Sequence, residues 1–285
     1  MASALPIGNE EIASSSPYGT RGTRQEFLIG TVYSSKHGAY YILDEDGYED
    51  EGGSAGLLGF PIREAEIELD SGRFQQFEGG VFYTDGKASR VSFAVRPNVI
   101  EALSDKMFRP ISKEAAAESS SGALGRAQRF VLRHHGQWKE TAIYSLADGA
   151  TMIVPTEIWS YYSKLGAEKS WLGFPTPGKQ IMSDSRGGQI FEEGAIYWRS
   201  EEEPITVPAA VIKLVGNDPH LRGRLGFPVS EEQPVGADGS GRIQYFEYGV
   251  ITLRDGKRET WLRPERPRKR WEGLPPLEKG STDGP

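Results

Sequence analysis

The sequence predicts an all-β fold with short helices, assembled from repeats, and three observations predict it. First, Leu58-Gly59-Phe60-Pro61, Leu172-Gly173-Phe174-Pro175 and Leu225-Gly226-Phe227-Pro228 are three copies of one tetrapeptide. Second, each leads within a strand and a turn to Phe-Glu-x-Gly, at Phe77-Glu78-Gly79-Gly80, Phe191-Glu192-Glu193-Gly194 and Phe246-Glu247-Tyr248-Gly249. Third, a β-branched or aromatic run follows each copy, at Val81-Phe82-Tyr83, Ala195-Ile196-Tyr197 and Val250-Ile251-Thr252, and its alternation reads as a strand. Repetition at a period of about fifty residues marks a propeller, a solenoid or an array. A motif present in every repeat is expected to build the fold before it does any chemistry.

The elements follow in chain order. In the clear copies a Gln stands two residues before the Phe, at Gln75, Gln189 and Gln244, and Gly72-Arg73 and Gly241-Arg242 precede two of them. The first unit, residues 1–42, is a worn copy: Gln25-Glu26-Phe27-Leu28-Ile29-Gly30 leads to Thr31-Val32-Tyr33, and Leu5-Pro6 stands where Phe-Pro stands elsewhere. The second unit, 43–94, is a full copy. Its acidic stretch, Leu43 to Glu51, lacks a calcium-loop spacing and reads as a surface turn.

The third unit, 95–155, is worn again. Gly125-Arg126-Ala127-Gln128-Arg129-Phe130 copies Gly241 to Phe246, and Phe108-Arg109-Pro110 replaces the tetrapeptide. Its strand Ala142-Ile143-Tyr144 is delayed by an insertion carrying Arg133, His134, His135 and Trp138. The fourth unit, 156–207, opens with Thr156 to Gly166, which has helical apolar spacing, a Thr156 N-cap candidate and a Gly stop. Pro97 to Lys106 and Pro208 to Gly216 occupy equivalent helical places. The fifth unit is 208–262. A tail, 263–285, carries an echo of the motif at Trp271-Glu272-Gly273-Leu274-Pro275 and is expected to help close the repeat array, with Leu5-Pro6 as the competing closure.

Composition removes several function classes. The chain has no cysteine among its 285 residues, so disulfides, thiolate metal sites and cysteine nucleophiles are excluded. A net charge of −7 argues against nucleic-acid binding, which needs a basic face. The basic run Arg263 to Arg270 reads as a solvated, proline-stiffened tail. Residues 1–18 show no signal peptide and no stretch reaches a membrane span. The expectation is a cytoplasmic monomer as read, or an envelope protein if the chain was cut from a longer secreted one.

The repeated motifs make the chain resemble the LGFP-repeat family over nearly its whole length. That resemblance implies a closed, propeller-like ring, here a single five-bladed one. It also implies attachment to the cell envelope of mycolic-acid-containing actinobacteria, where such repeats often follow an acyltransferase or hydrolase domain. A cell-wall glycan or another carbohydrate is the ligand class it implies.

No catalytic signature is present: Gly-x-Ser-x-Gly, His-Glu-x-x-His, Walker A and a GxGxxG after a strand are all missing. No metal or cofactor is expected. The adjacent His134 and His135 would face opposite sides of a strand, which opposes a shared metal site. The glutamates Glu78, Glu192 and Glu247 are expected to pair with a backbone N–H or with Arg73 or Arg242, and ligand contact stays open for them. Aromatics read as exposed are the functional clue: Tyr197-Trp198, Trp138, Trp159, Tyr161-Tyr162, Trp171 and Tyr40-Tyr41. The candidate ligand-binding residues are Trp198, Tyr197, Trp138, His134, Arg133, Glu78, Glu192 and Glu247. The leading expectation is a non-catalytic binding module for a glycan or small molecule. A standalone enzyme with a central pocket and a protein-interaction scaffold are the alternatives.

Overall fold

The computed structural model describes residues 5–67, 72–85, 92–103, 107–134, 136–177, 181–183, 185–217, 224–236, 239–254 and 257–262. The tail with its echo at Trp271, the basic run from Arg263, and His135 lie outside the described residues. The chain is mostly β, with small antiparallel sheets and few helices. It packs as two compact units, Met1–Pro177 and Gly178–Pro285.

The unit Met1–Pro177 holds three sheets. The first runs β1 (Glu11–Ile12), β2 (Gly22–Phe27), β3 (Gly30–Ser35) and β4 (Gly38–Tyr41) in sequential order. The second repeats this meander with β5 (Glu66–Ile67), β6 (Arg73–Phe77), β7 (Gly80–Thr84) and β8 (Ser92–Val95). In the third, β9 (Phe108–Pro110) adds to the meander of β10 (Ala115–Glu118), β11 (Leu124–His134), β12 (Gln137–Leu146) and β13 (Thr151–Ile153) by pairing with β11. The unit Gly178–Pro285 holds two: β14 (Ile181–Ser183), β15 (Arg186–Ile190), β16 (Gly194–Arg199), β17 (Ile205–Pro208), then β18 (Gln233–Val235), β19 (Gly241–Phe246), β20 (Gly249–Arg254), β21 (Lys257–Leu262).

The recurring motifs make the tight turns that a meander needs. Phe and Gly of Phe-Glu-x-Gly close a two-residue hairpin, as the pairs Phe77↔Gly80 and Phe246↔Gly249 show. The worn first copy does the same with Phe27↔Gly30. The tetrapeptide folds back on that hairpin through Pro61↔Phe77 and Pro228↔Phe246, and Pro6↔Phe27 places Leu5-Pro6 in the same role. Its Gly has φ of +68°, +70° and +75° at Gly59, Gly173 and Gly226, a left-handed backbone that only glycine adopts without strain.

Short helices join the sheets: α1 (Glu45–Asp50), α2 (Pro97–Ala102), α3 (Thr156–Leu165) and α4 (Ala209–Asn217). Two expectations are corrected here. The acidic stretch after Leu43 forms α1, capped by Asp44 through its bond from the Gly47 N–H and anchored by a buried Tyr48. Thr156 is the first helical residue of α3, preceded by Pro155 at the cap position, because Pro fixes φ ahead of a helix start.

Apolar clusters fill the junctions between successive sheets. One joins Tyr33 and Ile42 to Tyr48 of α1, Leu58 and Phe60 of the tetrapeptide, and Phe77 and Phe82 of the next sheet. A second joins Val95, Val99 and Leu103 to Phe130, Leu132 and Ile143. A third, in the other unit, joins Val207, Val211 and Leu214 to Leu225, Phe246 and Ile251. The last strand of one sheet, a helix, a turn and the Phe anchor of the next sheet therefore share one core.

Candidate binding site

Polar repeat residues complete these junctions. The Gln before each Phe donates across to the preceding sheet: Gln75 Nε2 reaches Tyr41 O at 2.8 Å and Arg63 O at 3.1 Å. Gln128 reaches Ala94 O at 2.9 Å and Ser112 O at 3.0 Å, and Gln244 reaches Thr206 O at 2.8 Å and Ser230 O at 3.1 Å. In each case one acceptor lies on the preceding sheet's last strand and the other in the Gln's own turn. Gln25, with no preceding unit, reaches only Gly8 O at 3.4 Å.

The repeated glutamates stitch the tetrapeptide to its hairpin. Glu78 Oε2 accepts from the Phe60 N–H and Glu247 Oε2 from the Phe227 N–H, both at 3.0 Å. Their other oxygens differ. Glu78 Oε1 accepts from Thr20 and lies 3.1 Å from His37 Nε2. Glu247 Oε1 accepts from Arg199 Nη2 at 2.9 Å, with Arg186 at 3.9 Å. The arginine partner named from the sequence is different, since Arg242 lies beside Glu232. Burial pushes the Glu78 carboxyl up, but bonds from Thr20, the Phe60 N–H, Ser16 and His37 outweigh it and hold the group below the usual carboxylate range. Glu192, the third copy, is half-buried on the turn before β16.

Most aromatics read as exposed are not. Trp198, Trp159 and Tyr162 are 7%, 8% and 0% exposed. The Trp198 indole N–H has no hydrogen-bond partner among the described residues. Tyr197 is half-buried, and its ring meets Phe227 edge-on at 5.6 Å. Tyr33 against Phe60 and Tyr144 against Phe174 repeat that contact at 6.3 and 5.4 Å. Burial also raises the Tyr197 phenol. These residues are wedges, because each blade-like sheet buries both faces and needs large rings on each. Trp171, at 45%, remains exposed.

The middle sheet departs from the rest. From Phe130 to Tyr144 there are 14 positions, against 6 from Phe77 to Tyr83, an excess of 8. These residues lengthen both strands: beyond Phe130↔Thr141 the ladder continues through Val131↔Glu140, Leu132↔Lys139, Arg133↔Trp138 and His134↔Gln137. The lengthened β11 also turns the worn tetrapeptide into a strand, through Phe130↔Pro110, Val131↔Arg109 and Leu132↔Phe108.

Alternation sorts the side chains of this extension onto two faces. Phe130 and Leu132 are buried and Phe108 packs beside them, so their face belongs to the core. On it His134 Nδ1 lies 3.3 Å from Glu157 Oε1 of α3. The opposite face carries Arg109, Arg129, Val131, Arg133, Trp138 and Glu140. The Arg109 guanidinium lies 4.3 Å from the centre of the Trp138 ring and Arg133 lies 6.0 Å from it. Arg129 pairs with Glu140 at 3.2 Å, both half exposed. Trp138 itself is half-buried and Arg133 exposed.

The structure thus brings together Arg133 and Trp138, sets His134 on the other face of the same hairpin, and engages Glu78 and Glu247 at junctions. Arg109, Arg129, Glu140 and Glu157 were missed. For Arg109 a signal existed: Pro110↔Phe130 matches Pro61↔Phe77, so Arg109 stands in the slot that Phe60 fills. Among the described residues no group of three His, Asp or Glu is placed to hold a metal ion, and no helix is long and apolar enough to cross a membrane.

No family model matches the chain, and no curated protein matches it. Among solved structures it is similar to the extracellular domain of one hybrid two-component system of B. thetaiotaomicron, at 12% identity over 88% of this chain and 29% of that one, TM-score 0.17. A second such domain from B. thetaiotaomicron is 9% identical over 94% and 39%, TM-score 0.16. The chain spans less than half the length of either. At these scores the likeness bears on neither fold nor function.

Proposed function

We propose that the chain is a non-catalytic binding module that recognises a glycan through the lengthened β11–β12 hairpin. One observation carries this reading. Trp138 stands half exposed between Arg109 and Arg133, on a hairpin extension that no other described sheet has. An indole face stacks on the C–H face of a sugar ring, while adjacent guanidiniums donate in a rigid fork to its hydroxyls. The junction residues, by contrast, have structural duties that leave little for a ligand.

The five sheets are the blades of one ring of LGFP-type repeats in this reading, and the ligand is a wall polysaccharide of the cell envelope. Support comes from the recurring meander, the shared helix-and-turn connection and the Gln staples. A closed ring of this length has a radius of gyration of about 19 Å. X-ray scattering from the chain truncated after Leu262 should give that value, and a clearly larger one would sink the ring.

The binding test is a screen of wall polysaccharides followed by calorimetry. Trp138→Ala should abolish binding while leaving the circular dichroism spectrum and melting temperature unchanged. Undiminished binding by that variant, or no binding of any polysaccharide by the natural chain, would overturn the reading.

A further inference from the structure

We infer that the ligand carries a fixed negative charge: a sugar bearing a carboxylate or a phosphate. The inference rests on the glycan reading above. The open face of the hairpin holds three arginines, Arg109, Arg129 and Arg133, and one glutamate, Glu140. That is an excess of two positive charges around Trp138, on a chain whose net charge is −7. Acidic surroundings repel an anion, so an arginine cluster is not what the rest of the composition would produce.

The repeat supplies the second argument. In the full tetrapeptides the residue before Pro is Phe60, Phe174 or Phe227, and each packs on a tyrosine of the preceding sheet. At the same place Arg109 lies over the inserted Trp138 instead. The exchange gives up an internal aromatic wedge and sets a guanidinium on the outer face. Packing of the repeat does not call for it.

Stacking on the indole also restricts the orientation of the guanidinium. An arginine fixed in this way loses less freedom when it forks onto two oxygens, and carboxylate and phosphate both present that pair. Neutral sugars offer hydroxyls, which a guanidinium binds less strongly. Glu140 already engages Arg129, which leaves Arg109 and Arg133 nearest the aromatic platform.

The test uses the full chain and three probes: polygalacturonate for carboxylate, phosphomannan for phosphate and laminarin as a neutral glucan. Tenfold or greater preference for at least one charged probe at low salt is expected, shrinking as salt is raised to 0.5 M. The preferred probe identifies the anion. Arg109→Gln and Arg133→Gln should each weaken that probe about tenfold and leave the weak laminarin binding unchanged. Glu140→Gln should strengthen the charged probe.

Equal affinity for laminarin and both charged probes would overturn the charge inference while leaving the glycan reading standing. Equally tight capture of a single-stranded oligonucleotide would also overturn it, because the face would then read charge without a sugar. Failure to bind any of the three probes or any wall polysaccharide would remove both.

Discussion

Replacing Gln75 by Leu tests whether the repeated glutamine holds successive sheets together. Leu has nearly the volume of Gln, so the core keeps its packing while the amide is lost. Gln75 is fully buried. It donates to Tyr41 O at 2.8 Å and Arg63 O at 3.1 Å, and accepts from the Leu43 N–H at 3.4 Å. The third bond is long and adds little. Each of the first two is worth about 0.5–1.5 kcal/mol net, and an acceptor left dry costs more. The Tyr41 and Arg63 carbonyls are only partly buried, so water recovers some of that, and about 2–3 kcal/mol is expected. For a compact unit of this size that corresponds to a melting-temperature drop of roughly 5–10 °C. Gln25→Leu is the internal control: it stands at the same repeat position but makes one bond at 3.4 Å, so its change should stay within about 0.5 kcal/mol. Urea midpoints of the three proteins measure both. If Gln75→Leu and Gln25→Leu shift the midpoint equally, the cross-sheet bonds are not what the glutamine supplies.

Acid titration probes Glu78. Its pKa in the fold lies below the unfolded value near 4.5, so its contribution is present above pH 4.5 and is lost as the pH falls through the lower folded value. Glu78→Gln should therefore be less stable than the natural chain at pH 6, with the gap closing toward pH 3; a gap independent of pH in urea melts would count against the assignment. Gly22→Ala would place a Cβ on the Ser34 carbonyl and within 2.6 Å of the Phe60 ring, so a loss of about 1–3 kcal/mol is expected. Gly8→Ala, with open space around it, should be near neutral by the same assay.

How much of this was legible depends on where the partner of each residue sits. The tetrapeptide glycines and the hairpin pair Phe77↔Gly80 were readable, because a turn is local and its demands on the backbone are carried by the residues in it. The glutamines were visible as a ruler, but their acceptors on Tyr41, Ala94 and Thr206 belong to another repeat, which spacing alone does not locate. Trp159, Tyr162 and Trp198 were misread as exposed because a sheet buried on both faces has no polar side to mark orientation. The acidic stretch hid α1, since its charge outweighed one apolar residue. Yet Tyr48 donates to Gly59 O at 2.7 Å, as Tyr162 donates to Gly173 O at 2.6 Å, and both pairs stand 11 residues apart. That shared offset was in the sequence and would have revealed the helix.

Departure from the repeat is not by itself a sign of function, and two arginines show why. Arg186 stands where Gly22, Gly125 and Gly241 stand, five residues before the Phe anchor. Its guanidinium lies 4.8 Å from the Phe227 ring and 3.9 Å from Glu247. Both partners are repeat residues, so the junction absorbs the substitution, and the bond from Arg199 to the same carboxylate reinforces it. Arg109 also replaces a repeat residue and also lies over an aromatic ring, but that ring is Trp138, which belongs to the insertion. Nothing in the repeat requires either member of the pair. A substitution whose partners are conserved parts of the motif repairs the fold. One whose partner is another departure, on an open face, makes a surface that the fold does not need, and selection for a ligand is the remaining physical reason to keep it.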